Sequence, residues 1–296
     1  MEKILLDTDI GGDIDDAICL AYLLNEPECD LLGITTVCGE PEKRAAVADA
    51  ICKAAGRTIP IVAGLDITLQ PISVYPTPEG AIALDDWEHD DFQKGNAPTF
   101  LYEKIKENPN EVTLIAIGNM TNVATMFEKY PDASSLIKGL FVMNGYFGKE
   151  KLPDPYWNWN SWADPLASKI VFATPIATHK VVPLEVTDML TIEAKQASEL
   201  LKADSKLMKA VFDFGNAWLE SSNKLTLHDP LVAVSVFYPN ICHFERGFVN
   251  VETEKTEDMG GTHFIANVNG NVEIATNVDK ERFYNILSSA LNHGEI

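Results

Sequence analysis

Asp7-Thr8-Asp9-Ile10-Gly11-Gly12-Asp13-Ile14-Asp15-Asp16 follows directly on the apolar run Ile4-Leu5-Leu6. The pair reads as a short buried strand, a glycine turn with room for positive φ, and the start of a helix. Five aspartates fall within those ten residues. Carboxylates held a few ångströms apart repel one another and resist ionisation, so the expected partner is a hard divalent cation or the positive charge of a transition state. One or two acids at a helix N-terminus would cap it and favour its dipole, but that role does not account for five. An EF-hand loop counted from Asp7 needs a carboxylate at its twelfth position, where Ile18 stands.

Outward from this stretch, short apolar runs rich in β-branched residues alternate with segments of helical period. Strands are expected at 3–6, 31–37, 59–63, 112–117, 140–143 and 180–184, and helices at about 15–25, 42–55, 122–130 and 164–172. This alternation predicts an α/β fold with a mainly parallel, open sheet, whose functional groups gather at the carboxyl ends of the strands. A helical stretch over about 192–222 precedes three runs, 247–251, 262–268 and 272–274, that read as additional antiparallel strands towards the C-terminus, and a helix over 280–291 follows. Two long segments, 65–98 and 146–163, break the rhythm and are expected to serve as lids or to carry inserted elements. The whole chain, 1–296, reads as a single domain.

The 23 Lys+Arg against 44 Asp+Glu give a net charge of -21, which argues against nucleic acid or an anionic membrane as partner. A neutral small molecule or a cation fits better. Met1-Glu2-Lys3 leads into a strand without a basic segment followed by an apolar one, so the chain reads as cytoplasmic. Five cysteines without CxxC spacing point to buried free thiols rather than disulfides or zinc ligands.

Two further oxygen-rich stretches belong to the argument. Leu227-His228-Asp229-Pro230-Leu231 places a carboxylate beside a proton donor at a helix entry. Leu114 to Asn122 reads as a buried strand ending in the Gly118-Asn119-Met120-Thr121-Asn122 turn, whose carbonyls suit an oxygen-ligand shell, although Thr121 would equally serve as a plain helix cap. Asp7-x-Asp9 resembles the start of the haloacid-dehalogenase phosphatases, but Gly11 replaces their Thr or Val.

The ordered set resembles the inosine–uridine-preferring nucleoside hydrolase family over essentially the whole chain. Asp7-Thr8-Asp9-Ile10-Gly11 with Asp15-Asp16-Ala17 is similar to the family's DxDxGxDDA signature, and the 118–122 turn to its GPLTN turn. Val142-Met143-Asn144-Gly145 is similar to the MGG turn, and Asn158-Trp159-Asn160 with Asp164-Pro165 to the EFN…DP segment. The 182–187 and 228–231 blocks match two more. The resemblance implies hydrolysis of a ribonucleoside to base and ribose, with Ca2+ held by Asp9, Asp16, Asp229 and the Thr121 carbonyl. It makes Asp15 the group that touches the ribose and the metal-bound water or takes that water's proton, His228 the candidate donor to the leaving base, and Asn144, Asn158, Trp159 and Asn160 part of the substrate site. It also implies a homo-oligomer, a dimer or a tetramer.

Three departures stand out. An extra pair of residues lengthens the acidic motif, so that Asp13 or Asp15 would occupy the catalytic-base position, Asp15 being favoured because it runs on into the helix with Asp16 and Ala17. Glu40 stands where the family carries Asn, and Asn158 where it carries Glu, as if acid and amide were exchanged across the sugar. The first long segment lacks the family's His-Gly element, which shifts base recognition to the aromatic residues Tyr146, Phe147, Tyr156, Trp157, Trp159 and Trp162, Trp159 above all.

Overall fold

A computed structural model describes residues 1–71, 75–148, 150, 158–201 and 205–292. Its strands are β1 (Glu2–Thr8), β2 (Cys29–Thr36), β3 (Ile61–Ala63), β4 (Val112–Ala116), β5 (Gly139–Met143), β6 (His179–Val182), β7 (Thr191–Glu193), β8 (Lys224–Thr226), β9 (Cys242–Val251), β10 (Thr262–Ala266) and β11 (Val272–Val278). Nine of them form one sheet in the order β10-β9-β11-β6-β5-β4-β1-β2-β3. From β3 through to β11 every neighbouring pair is parallel, and only β9 pairs antiparallel, with β10 and β11. The mainly parallel sheet with antiparallel strands near the C-terminus is the architecture that the alternation of runs predicts.

Strand β1 is buried on both faces, as a central parallel strand must be. Ile4 and Leu6 join one core cluster and Leu5 the other, because successive side chains point to opposite faces. The chain leaves β1 through α1 (Asp15–Asn25) to β2, passes α2 (Pro41–Ala54) to β3, and returns through α3 (Ala97–Glu107) to β4 on the other side of β1. Strand order thus reverses at β1. That reversal opens a crevice beyond its carboxyl end, where Asp9 and the acidic turn lie.

Several elements differ from expectation for identifiable reasons. Helix α3 falls mostly between the long segment 65–98 and the strand at 112–117, where no element was expected, yet Asn96 and Pro98 mark its start: the Asn96 Oδ1 accepts from Thr99 N at 3.2 Å, and the proline fits the first turn. The expected helix over 192–222 divides into Ala194–Leu200 and Lys206–Ser221, after β7 has paired with β8. Strand β6 stops at Val182 because Pro183 has no N–H to continue the ladder. The long segments carry a 3-10 helix, Glu79–Asp86, and a short helix, Trp159–Ala163. All five cysteines are buried free thiols. Among the described residues no helix is long and apolar enough to cross a membrane.

Candidate active site

Asp9, Asp13, Asp15, Asp16 and Asp229 line one cavity of about 350 Å3 at the crevice. Asp9 and Asp13 come from the turn between β1 and α1, and Asp15 and Asp16 from the first turn of α1. Asp229 comes from the start of the helix His228–Phe237, which packs on α1. The N-cap of α1 is Ile14, without a side-chain cap bond, so these acids are not consumed in capping. Thr8 Oγ1 donates to Asp16 and accepts from Ile10 N at 3.1 Å, which folds the turn back on β1. The Asp229 N–H donates to Asp15 Oδ2 at 3.2 Å.

Oxygens of Asp15, Asp16 and Asp229 lie within 4.8 Å of one another. Burial raises the pKa of all three well above the ordinary carboxylate value, and neighbouring aspartates raise them further. Asp13 is exposed towards the cavity mouth, yet the protein around it and then the charge of Asp9 push it up to about 6. Burial also raises Asp9, opposed first by the charge of Arg44 and then by the Trp159 indole, whose Nε1 donates to Asp9 Oδ2 at 3.2 Å. An all-oxygen set of mutually repelling carboxylates is the donor chemistry a hard cation takes, and such a cation would displace their protons. The residues therefore fit a metal site. Asp9, though it lines the same cavity, stands outside the closest trio.

His228 also lines the cavity and is buried, which holds its imidazole down to about 4 and neutral at neutral pH. Its Nδ1 lies 2.6 Å from Thr187 Oγ1, a hydroxyl that donates to the Leu184 carbonyl at 3.0 Å. Thr187 therefore holds the imidazole ring through its Nδ1. Arg44 is the other group for which no motif prepared: it is 1% exposed, lines the cavity, and is its one Lys or Arg among the described residues. A basic residue next to Lys43 in an ordinary helical pattern carries no sequence signal of that position.

The remaining expected residues divide. Asn158, Trp159 and Asn160 line the cavity. Asn160 Nδ2 donates to the carbonyls of Ile117 at 2.6 Å and Met143 at 3.0 Å, joining the ends of β4 and β5. The Asn158 amide accepts from Gly145 N at 3.1 Å and donates to Gly260 O at 3.2 Å. Glu40 is not brought to the cavity; with left-handed φ of 54° before Pro41, its carboxylate turns to Lys43 Nζ at 2.5 Å. The two exchanged side chains thus meet different partners in this structure, Glu40 the Lys43 ammonium and Asn158 the backbone of Gly145 and Gly260. Asn144 and Thr121 are fully buried and outside the lining: Asn144 Nδ2 donates to Ser168 Oγ at 3.2 Å, and the Thr121 hydroxyl bonds Asn119 and Asp164 at 2.7 and 2.6 Å. Of the aromatic residues, Trp159 alone among those described lines this cavity, with the Trp162 ring 5.6 Å away, while Phe147 packs on Phe264. Tyr156 and Trp157 lie outside the described residues.

A family profile described as inosine-uridine preferring nucleoside hydrolase matches residues 4–285. The chain belongs to that family. It is similar to uridine nucleosidase 1 of Arabidopsis thaliana, 30% identical over 276 residues that cover 86% of this chain and 79% of that protein. Non-specific ribonucleoside hydrolase RihC of Escherichia coli (strain K12 / DH10B) is 29% identical over 305 residues, 97% of each chain. In fold, this nucleoside hydrolase superposes on the purine-preferring ribonucleoside hydrolase from Gardnerella vaginalis with a TM-score of 0.83, at 22% identity and 99% coverage of both chains. The acidic turn of this family member thus lies inside the matched region, and so does the His228-Asp229 pair.

Proposed function

We infer that this nucleoside hydrolase cleaves the N-glycosidic bond of a ribonucleoside, releasing free base and ribose. The observation that carries the reading is the convergence of five aspartates and one buried imidazole on a single cavity within a chain of this family. Asp15, Asp16 and Asp229 would hold a Ca2+ ion, with Asp9 in the same cavity and the Thr121 carbonyl as the further ligands that the family resemblance implies. When bound, such a cation anchors vicinal sugar hydroxyls and makes water more acidic.

The chain's own residues account for the rest. As the C1′–N bond breaks, its electron pair leaves with the base and positive charge develops at C1′. Fixed carboxylates around that position stabilise the charge without reorganising, whereas bulk water would have to reorient. Water forms the new C1′–O bond and gives its proton to Asp15, with Asp13 at the mouth as the alternative acceptor. His228 supplies hydrogen to the departing base nitrogen, and its shielded position makes it a strong acid whenever it is protonated. Trp159 stacks against the substrate while its indole N–H steadies Asp9. Asn160, fixed between two strand ends, orients the sugar.

The net charge of -21 supports a neutral nucleoside rather than a nucleic acid as partner, and five free buried thiols support a cytoplasmic setting. The assembly is proposed to be a homo-oligomer, dimeric or tetrameric, on the family resemblance. The experiment is release of reducing sugar from a panel of purine and pyrimidine ribonucleosides, before and after chelation of divalent ions. Release that stops on chelation and returns with Ca2+ supports the reading. No release across the panel with Ca2+ bound would instead favour a family member that binds a sugar or nucleoside-like ligand without cleaving it.

A further inference from the structure

Arg44 is buried near the N-terminal end of α2, where no motif called for a cation. A guanidinium is tolerated inside a protein only when its N–H groups find acceptors. Here the acceptors are backbone carbonyls from three separate turns. Nε donates to Cys38 O at 2.7 Å and to Gly39 O at 2.9 Å, in the turn between β2 and α2. Nη1 donates to the carbonyls of Asp9 and, at 3.1 Å, Ile10, in the acidic turn. Nη2 donates to Pro76 O at 3.0 Å, in the segment that walls the cavity.

The same three turns also meet through glycines. A Cβ on Gly39 would collide with the Pro76 carbonyl, and one on Gly11, at φ +105°, would lie 2.7 Å from Pro78 Cβ. Gly80 N donates to Gly11 O at 2.9 Å, closing the contact. The backbones approach too closely for side chains between them, and a single planar cation spans all three.

We propose that Arg44 is a positioning residue of the hydrolytic site: its guanidinium locks the acidic turn, the 38–40 turn and the 75–80 segment into one rigid rim, which sets where the carboxylates stand around a bound ribonucleoside. The proposal rests on the nucleosidase reading above. Lysine keeps the charge but not the function, because three donors radiating from one point cannot reach carbonyls in three turns.

The test compares wild type with Arg44→Lys and Arg44→Ala by circular dichroism, Ca2+ titration calorimetry and steady-state kinetics on uridine and inosine. Arg44→Lys is expected to stay folded and to lose kcat roughly 10²-fold with a smaller change in KM, the scale of a misplaced reacting group. Its Ca2+ affinity is expected to fall about tenfold through the loosened turn, charge being unchanged. Arg44→Ala should regain part of its lost kcat with millimolar methylguanidinium and not with methylammonium. Wild-type-like kcat and Ca2+ affinity in Arg44→Lys, or equal rescue by methylammonium, would overturn the proposal. Unfolding of both variants would assign Arg44 to the fold instead and overturn it too. If wild type cleaves no nucleoside, the nucleosidase reading fails, and the Ca2+ affinity of Arg44→Lys still decides the role of Arg44.

Discussion

Asp229 donates its backbone N–H to Asp15 Oδ2 at 3.2 Å across 214 positions of sequence. This bond links the start of the His228–Phe237 helix to the start of α1, and so joins the two halves of the acidic site. It also orients Asp15 while leaving the Asp229 carboxylate for the cavity. Geometry of this kind is what a site needs if its groups are to meet charge as it develops rather than after rearrangement.

Asp9→Ala and Asp229→Ala each remove one carboxylate from the proposed ion's surroundings. Both variants are expected to lose Ca2+ in calorimetric titration and activity by about 10²–10³-fold or more. A variant that keeps stoichiometric Ca2+ and normal turnover would remove that residue from the ligand set.

His228→Ala is expected to slow ribonucleosides with poor leaving groups by roughly 10²–10⁴-fold, the range of general acid catalysis. A nitrophenyl riboside, whose leaving group needs no proton, should lose far less. Thr187→Val, which frees the His228 Nδ1 from its 2.6 Å contact, should fall in the same substrate-dependent order but by a smaller factor. Equal losses on both substrate types would argue that His228 does not donate to the base.

His179 is buried in β6, and neither ring nitrogen has a hydrogen-bond partner among the described residues; burial holds its pKa down to about 3. The folded form therefore binds fewer protons than the unfolded form, whose histidine titrates near 6.5. The stability contributed by the neutral ring is complete above that value and is lost as pH falls towards 3. At about pH 5 the loss amounts to about 2 kcal/mol. His179→Phe, which keeps a ring opposite Phe172 at 6.0 Å, should show a flatter fall in denaturation midpoint between pH 7 and 5. An unchanged acid profile would contradict this account.

Gly11→Ala places a side chain at φ +105° and 2.7 Å from Pro78 Cβ. A loss of about 1–3 kcal/mol in stability is expected from the backbone alone, with weaker Ca2+ binding as the acidic turn shifts. Chemical denaturation and calorimetry of the same sample read both. A variant as stable as wild type would show that the turn does not depend on this conformation.

Much of this architecture is legible in the chain because parallel strands buried on two faces, such as Ile4-Leu5-Leu6 and Leu114-Ile115-Ala116, announce themselves as apolar runs. The acidic turn is legible because so many carboxylates so close together exceed what structure alone needs, although one of the five, Asp7, is a buried strand residue whose Oδ1 accepts from Thr35 Oγ1 and from Asn122 Nδ2 and which does not line the cavity. Helix α3 is less visible, since its buried face rests on little more than Leu101 and Ile105 among charged residues. Glu40 illustrates another limit: a left-handed backbone angle sends its carboxylate to Lys43, and no residue pattern reports that angle. Arg44 is invisible for a different reason. Its partners are main-chain carbonyls, which carry no residue identity, so only the folded arrangement of three turns exposes the contact.

The measurement that bears most directly on the central claim is mass spectrometry of the products formed from uridine and inosine in water enriched in heavy oxygen, with Ca2+ present and phosphate absent. Free base together with ribose carrying one heavy oxygen at C1 is predicted, and its formation should cease when Ca2+ is chelated. Intact nucleoside after prolonged incubation with the ion bound, or a sugar product formed only when phosphate is supplied, would contradict a hydrolytic site at these aspartates.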